Sequence, residues 1–321
     1  MVISSLSGSS LSGSSLSGSS FSGSSPSGSA TSSSEQGVSS EQGVPEAAAH
    51  AAELAPAVKS LIKQGFALMS RGQYGGAIEK LDGAITLDAQ NDKAWLYRAQ
   101  AAMQMRSFET ALKDFREVVR LNPTEARAWH GQGVAKAELR LYPSAVDSFD
   151  RAIACDPNND KIWYNRGRAL LKLEQYGNAQ ESFERAIAIN PDKYYAWYNL
   201  ALAQAALDRV QPAIDSLQRV TELKPNCHYA WNYRGTLLNR LFQHDEALES
   251  FWESIRHRVP NPNAWYGIAA SYALQQNPDA AAIHLAQAVQ LNPSIYSLMA
   301  RNDTSFDTVR NHPKIHALLR E

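Results

Sequence analysis

The fold of this chain is decided by a 34-residue unit that reads DKIWYNRGRALLKLEQYGNAQESFERAIAINPDK from residue 160 to residue 193. The spacing recurs in six tryptophans that are each 34 residues apart, namely Trp95, Trp129, Trp163, Trp197, Trp231 and Trp265. Self-similarity at a fixed period of this length is the signature of a repeat protein. The register extends over seven units, at residues 58–91, 92–125, 126–159, 160–193, 194–227, 228–261 and 262–295.

Small and apolar residues hold fixed positions when each unit is numbered from 1. Position 20 is always Ala: Ala77, Ala111, Ala145, Ala179, Ala213, Ala247 and Ala281. Position 8 is always small: Gly65, Ala99, Gly133, Gly167, Ala201, Gly235 and Ala269. Position 24 is Leu or Phe: Leu81, Phe115, Phe149, Phe183, Leu217, Phe251 and Leu285. Position 32 is Pro in five units: Pro123, Pro157, Pro191, Pro225 and Pro293.

These positions predict a pair of antiparallel helices in each unit. Positions 4, 8 and 11 share one face of a helix, and positions 20, 24 and 27 share one face of a second helix. Small residues at 8 and 20 allow the two helix axes to approach closely, while the tryptophan fills space toward the neighbouring unit. Proline near position 32 ends the second helix. The hairpins must then stack on one another.

The pattern of Trp at 4, Gly or Ala at 8, Ala at 20, Phe at 24, Ala at 27 and Pro at 32 resembles the tetratricopeptide repeat family. The segment Trp163-Tyr164-Asn165-Arg166-Gly167 is especially similar to long bacterial arrays of this family. The resemblance implies an all-α fold, a right-handed α-solenoid of seven antiparallel helix hairpins. In the family, the first helices of the hairpins line a concave groove.

The flanks of the repeats differ in composition. Residues 1–44 are Ser- and Gly-rich, so we expect a disordered arm that buries too little apolar surface to fold. Its evenly spaced Leu and Phe could instead be weak docking points, or its serines could be modified. Residues 45–57 predict a short Ala-rich leading helix that Pro56 breaks. Residues 296–321 predict a C-terminal capping segment whose apolar face is Phe306, Val309, Ile315, Leu318 and Leu319.

Charge and hydropathy narrow the possible partners. The net charge is −1 at pH 7, so electrostatics gives no reason to expect nucleic acid. No apolar run approaches the ~20 residues that a membrane span needs. The start of the chain has neither the positive charge nor the apolar stretch of an export signal, and we therefore expect a cytoplasmic protein. We interpret Cys155 and Cys227 as reduced thiols, and the sequence leaves a single disulfide between them as the alternative.

Catalytic motifs do not emerge from the sequence. It contains no Gly-rich phosphate loop, nucleophile elbow or paired metal-ligand motif, so we predict a non-enzymatic protein without cofactors or metals. His312 and His316 are four residues apart, but Pro313 between them predicts a helix start that leaves His312 outside. Both histidines are interpreted as surface or capping residues.

Aromatic residues are concentrated on the first helices of units four to six. The candidate partner-binding residues of the concave groove are Tyr164, Arg168, Tyr195, Tyr198, Asn199, Tyr229 and Tyr233. Aromatic side chains with a few polar donors are the composition enriched at protein interfaces. Tyr is common at position 5 in the family, so Tyr164 and Tyr198 also admit a structural interpretation.

Two further features have competing interpretations. Arg98, Arg166 and Arg234 stand at position 7, where we expect structural ion pairs with acids on second helices. Trp252 is the one tryptophan outside the register, and it either packs on the following turn or anchors a partner.

The sequence therefore predicts a scaffold that binds a partner peptide or helix in the concave groove. The alternative is an assembly factor or adaptor that organises a multi-subunit complex through its whole surface. The family's co-chaperone members grip a C-terminal carboxylate with Lys and Asn at set positions, and no three consecutive units here match that set. The oligomeric state is open.

Overall fold

The computed structural model describes residues 44–320, with side chains from residue 54 onward. Residues from Ala48 onward form one compact unit. All residues of the predicted arm, 1–44, except the last, Val44, lie outside the described residues. The helices are α1 Val44–Ser70, α2 Tyr74–Leu87, α3 Asp92–Gln104, α4 Phe108–Leu121, α5 Ala126–Glu138, α6 Tyr142–Cys155, α7 Asp160–Lys172, α8 Tyr176–Ile189, α9 Tyr194–Ala206, α10 Val210–Leu223, α11 His228–Arg240, α12 His244–His257, α13 Pro262–Leu274, α14 Pro278–Leu291, α15 Pro293–Asn302 and α16 Pro313–Arg320.

The fourteen helices α1–α14 form the seven predicted hairpins, and each hairpin packs on the next. Second helices pack on the following first helices, as α4 does on α5 and α6 on α7. First helices also contact each other, because α3 lies against α5, α5 against α7, and α7 against α9. We call the surface formed by the first helices the first-helix face. The described part of the chain is an all-α solenoid, and no helix in it is long and apolar enough to cross a membrane.

Each hairpin closes on a large side chain at position 24. Phe115, Phe149, Phe183 and Phe251 are fully buried. A Cβ atom built on Gly167 would lie 2.7 Å from the Phe183 ring, so the ring fills the space that the missing side chain leaves. This contact confirms that the small residue at position 8 permits close approach of the two helices.

The tryptophans link neighbouring units through a hydrogen bond as well as through packing. The Trp163 indole N–H donates to the carbonyl of Pro157 at 2.9 Å. Pro157 stands at position 32 of the preceding unit. The same bond joins Trp95 to Ala89, Trp129 to Pro123, Trp197 to Pro191 and Trp231 to Pro225. The regular spacing therefore fastens the start of five first helices, α3, α5, α7, α9 and α11, to the turn before each of them.

Each hairpin turns through one residue in the left-handed region at position 15. Six are not glycine and have φ between 56° and 61°: Arg106, Arg140, Glu174, Asp208, Phe242 and Gln276. Only the first hairpin uses glycine, at Gly72 with φ of 74°. Left-handed backbone is costly for residues with a Cβ, so the packing of the two helices must hold these turns in place.

The helix break predicted at Pro56 is wrong. A single helix, α1, spans Val44–Ser70 with Pro56 inside it. Proline removes one backbone hydrogen bond, but alanine on the N-terminal side strongly favours helix. On the C-terminal side, Val58 and Leu61 pack against α2 and the start of α3 and hold that part helical. The alanines before Pro56 and the packing after it together outweigh the loss of one backbone hydrogen bond.

The C-terminal segment caps the last hairpin. Phe306, Val309, Ile315 and Leu319 are buried in one cluster with residues of α13 and α14, and Leu318 packs against it in part. A short 3-10 turn at Thr304–Phe306 lies between α15 and α16. The Tyr266 hydroxyl donates to Asp303 at 2.7 Å and so ties α13 to this segment.

Candidate functional site

The seven candidate residues lie on three consecutive first helices. Tyr164 and Arg168 are on α7, Tyr195, Tyr198 and Asn199 on α9, and Tyr229 and Tyr233 on α11. The structure brings them together as two groups of contacts that share α9.

The first group joins α7 to α9. The Tyr164 and Tyr195 rings meet edge to face with centroids 4.7 Å apart. The Asn199 amide donates to the Tyr195 carbonyl at 2.7 Å and points its second hydrogen toward the Tyr164 hydroxyl at 3.4 Å. The Arg168 guanidinium stands 5.8 Å from the centroid of the Tyr164 ring. Aromatic edge contacts and a cation over a ring are both stabilising, so this group is ordered before any partner arrives.

The second group joins α9 to α11. The Tyr198 and Tyr229 rings meet edge to face at 4.8 Å, and the Tyr233 ring is 6.5 Å from Tyr198. Tyr229 is 38% exposed, the largest exposure among the candidate tyrosines. Tyr198 therefore holds Tyr229 in position, and Tyr229 is the candidate tyrosine that a partner can reach most easily.

Burial favours the protonated form of four tyrosine hydroxyls, those of Tyr164, Tyr198, Tyr229 and Tyr233. It raises the pKa of Tyr198 to about 12 and also raises the pKa values of Tyr164 and Tyr233. The pKa of Tyr229 is raised by burial and, secondarily, by the neighbouring Cys227. A neutral hydroxyl donates and accepts hydrogen bonds but is a poor nucleophile. The arrangement therefore suits recognition of a ligand.

Two residues of this surface were missed by the sequence reasoning. Tyr194 packs edge to face on Tyr195 at 5.7 Å, and its hydroxyl accepts a hydrogen bond from the Lys224 ammonium at 2.9 Å. Lys224 also stands 4.2 Å from the centroid of the Tyr194 ring. The adjacent tyrosines at positions 1 and 2 were a signal that could have identified Tyr194, whereas Lys224 comes from the end of a second helix.

The position-7 arginines are structural, as predicted, but their partners vary. Arg98 pairs with Asp114 at 2.7 Å and with Asp82 at 2.5 Å, bridging two second helices. Arg166 pairs with Asp150 at 2.6 Å and donates to the Ser182 hydroxyl at 2.7 Å.

The prediction of an ion pair is wrong for Arg234. This arginine donates to the Ser250 hydroxyl at 2.6 Å and forms no salt bridge with any described residue. The reason is that neither partner position holds an acid. Serine stands at position 23 of that unit, as at Ser182, and Gln218 stands at position 25 of the preceding unit, where Arg166 has Asp150.

Trp252 packs on the next unit and is also exposed. Its ring packs edge to face on Trp265 at 5.4 Å and on His284 at 5.7 Å, yet the side chain is 43% exposed. It lies on the second helix α12, away from the candidate residues on the first helices. Over the described residues, no group of three or more His, Cys, Asp or Glu side chains could hold a metal ion.

Comparison with known proteins places these features in a family. The tetratricopeptide repeat model matches residues 98–160, 164–226 and 234–294, which is more than half of the chain. No curated protein sequence matches the chain.

Three solved structures resemble the fold. The C-terminal part of a TPR repeat-containing protein from Cytophaga hutchinsonii is 17% identical, with 77% of this chain and 99% of that chain covered and a TM-score of 0.63. PilF of Pseudomonas aeruginosa is 17% identical, with 67% and 95% covered and a TM-score of 0.53. A MamA fragment from Desulfovibrio magneticus RS-1 is 27% identical, with 52% and 94% covered and a TM-score of 0.50.

Proposed function

Since the chain belongs to the tetratricopeptide repeat family, whose members are protein-interaction scaffolds, we propose that it holds a partner peptide or helix on its first-helix face. The contact area in this proposal is formed by Tyr164, Arg168, Tyr195, Tyr198, Asn199, Tyr229 and Tyr233. The role is binding without catalysis, as is typical of the family, and it requires no cofactor.

The observation that carries this proposal is the pair of tyrosine groups on α7, α9 and α11. Tyrosine buries a large area on binding while losing little conformational freedom, and it is enriched among residues that dominate interface energy. Here the rings are already fixed by edge contacts at 4.7 and 4.8 Å. Such preorganisation lowers the entropy that a partner must offset when it binds. Arg168 and Asn199 supply polar contacts beside the rings.

The experiment is a double substitution, Tyr195→Ala with Tyr229→Ala, tested against a partner purified by its affinity for the full chain. Removing two aromatic anchors should weaken binding by ~2 kcal/mol or more. Helicity and the unfolding midpoint should stay close to wild type, because both residues are partly exposed. The control is Lys59→Ala with Lys93→Ala, two exposed residues of α1 and α3 on the same face. If the control loses the partner and the tyrosine variant keeps it, the binding surface lies elsewhere.

A second function, an assembly factor that uses the whole surface, is favoured by one observation. Trp252 is exposed on α12, which belongs to the other side of its hairpin. An exposed tryptophan is a common anchor at protein interfaces. Under this alternative, Trp252→Ala lowers recovery of a multi-subunit complex while binding of a single peptide ligand is unchanged. Under the first proposal, Trp252→Ala leaves the partner bound.

A further inference from the structure

A basic pocket lies next to the tyrosine groups, between α5, α6 and α7. It encloses about 360 Å³. Arg168 and Lys172 of α7 form one wall, and the hairpin turns contribute Arg106 and Arg140. Arg168 belongs to the pocket and to the Tyr164 contact, so the two surfaces are continuous.

The charge of this pocket is strongly one-sided. Its lining contains four cations, Arg106, Arg140, Arg168 and Lys172, and one carboxylate, Glu138. The whole chain is nearly neutral, with a net charge of −1, so the concentration of positive charge is local.

These cations have no ionic partner within the described part of the chain. None of the four takes part in a salt bridge there, and Glu138 takes part in none either. By contrast, Arg98 and Arg166 at position 7 are both paired with aspartates. The pocket therefore presents positive charge that the fold leaves uncompensated.

The floor of the pocket is apolar and fixed. Val134, Ala137 and Ala169 line it together with the fully buried ring of Phe149. The side chains of all four cations are exposed, so anionic side chains of a bound segment can reach them. The backbones of Arg106 and Arg140 are held in the left-handed region by the hairpin turns, which fixes the origin of both side chains.

We propose that this pocket binds carboxylate side chains of an acidic peptide segment, several Asp or Glu residues in sequence. Guanidinium groups match carboxylates in a two-point geometry, and three of the four cations are arginines. The inference rests on the proposed function, because the acidic segment flanks the part of the partner that contacts the tyrosines. A net charge of −1 over the whole chain favours a few carboxylates over a nucleic-acid backbone as the occupant of this pocket.

The test uses the full chain and a fluorescein-labelled peptide of eight glutamates, with binding measured by fluorescence anisotropy at low ionic strength. The glutamate peptide should bind, and peptides of eight glutamines or eight lysines should not. Binding should weaken as salt is raised, since exposed charges are screened beyond ~8 Å at ~0.15 M. Equal binding of the glutamine peptide, or no binding of the glutamate peptide, overturns the proposal.

Charge reversal locates the site. Arg140→Glu with Lys172→Glu should weaken binding at least ~10-fold, since each charge-assisted hydrogen bond contributes enough to change affinity by about that factor. The matched control is Lys80→Glu with Lys113→Glu, which changes the net charge equally on exposed positions of second helices. The control should stay within ~2-fold. Equal losses in the two variants would overturn the proposal, because the attraction would then depend on net charge alone.

Two further arms separate the possible failures. Arg168→Gln removes one charge at an exposed position without reversing it and should also weaken binding of the glutamate peptide. This single variant keeps the test valid if the double variant folds poorly. A peptide of phosphoserines that binds far more tightly than glutamate would assign the pocket to phosphate instead. Tyr195→Ala with Tyr229→Ala should leave glutamate binding intact. The tyrosine proposal and the pocket proposal can therefore fail independently.

Discussion

Substitution of Gly267 by alanine tests how the hairpins interlock. Gly267 stands at position 6 of α13, where an added Cβ would lie 2.3 and 2.4 Å from two carbons of the Phe251 ring. An ordinary van der Waals contact is 3.4–4 Å, so the ring must move by about 1 Å. Phe251 is only 1% exposed. Gly235, in the same hairpin as Phe251, lies against the other side of the contact, since a Cβ built on it would lie 2.8 Å from the ring. The ring has no free space to move into.

The expected magnitude is the difference between two terms. Overpacking of a well-filled core costs about 1–3 kcal/mol, and the trapped ring places this site in the upper part of that range. Replacing glycine by alanine inside a helix returns about 1 kcal/mol. Gly267→Ala should therefore destabilise the array by about 1–2 kcal/mol.

Urea unfolding followed by far-UV circular dichroism measures this change, with Gly75→Ala as the matched control. Gly75 is also helical, but no atom lies within 4 Å of its added Cβ, so the same substitution should stabilise by up to ~1 kcal/mol. Combining Gly267→Ala with Phe251→Leu should relieve the clash, as leucine already stands at position 24 in Leu81, Leu217 and Leu285. A wild-type urea midpoint for Gly267→Ala would show that the added Cβ does not clash with Phe251. Stability losses that simply add in the double variant would show the same, because residues in contact should not be additive.

Three more outcomes are expected. Gly167→Leu should lower the urea midpoint more than any single change on the first-helix face, because even its Cβ meets Phe183 at 2.7 Å; an unchanged midpoint would contradict the assigned register. Gly72→Ala should cost about 1 kcal/mol in the same melts through backbone strain alone, as φ is 74° and its Cβ would meet no atom within 4 Å; a stabilised variant would contradict that. Burial lowers the pKa of His130 from 6.5 to about 4, and its ring nitrogen accepts from the Asn165 amide, so the folded state stays unprotonated where the unfolded state gains a proton. The free energy of unfolding should therefore fall as pH drops from 6.5 toward 4, by about 2 kcal/mol at pH 5. A His130→Gln variant should lose less stability than wild type between pH 7.5 and 5. An equal loss in the variant would show that another group is responsible.

The hairpins could be predicted from sequence because their determinants are local and periodic. Trp163, Gly167, Ala179 and Phe183 recur at fixed spacing, and each has a steric role that does not depend on distant residues. The hydrogen bond of five tryptophans to position 32 of the preceding unit was not predicted, since its geometry depends on how one unit follows the next.

Other features depend on contacts that spacing does not reveal. The left-handed residue at position 15 carries no signal when it is Arg106 or Phe242 instead of glycine. Gly267 resembles an ordinary helical residue until the ring of Phe251 is placed against it. The Pro56 prediction failed because it weighed one lost hydrogen bond without the helix-favouring alanines before the proline and the packing of Val58 and Leu61 after it.

The candidate site was only partly accessible from sequence. Helical spacing placed Tyr195, Tyr198 and Tyr229 on neighbouring first helices, and the structure puts their rings in contact groups. The basic pocket was not predicted, because its cations come from three consecutive units and from turns as well as helices. That tyrosines and pocket bind a partner remains a proposal.

Hydroxyl-radical footprinting of the full chain, with and without its purified partner, tests whether the partner lies on the first-helix face of units four to six. Tyr229 on α11 and Trp252 on α12 are similarly exposed, at 38% and 43%, and both side chains react readily. We expect the partner to protect Tyr229 from oxidation, together with Tyr195, and to leave Trp252 unchanged. Protection of Trp252 with unchanged oxidation of Tyr229 would contradict this expectation.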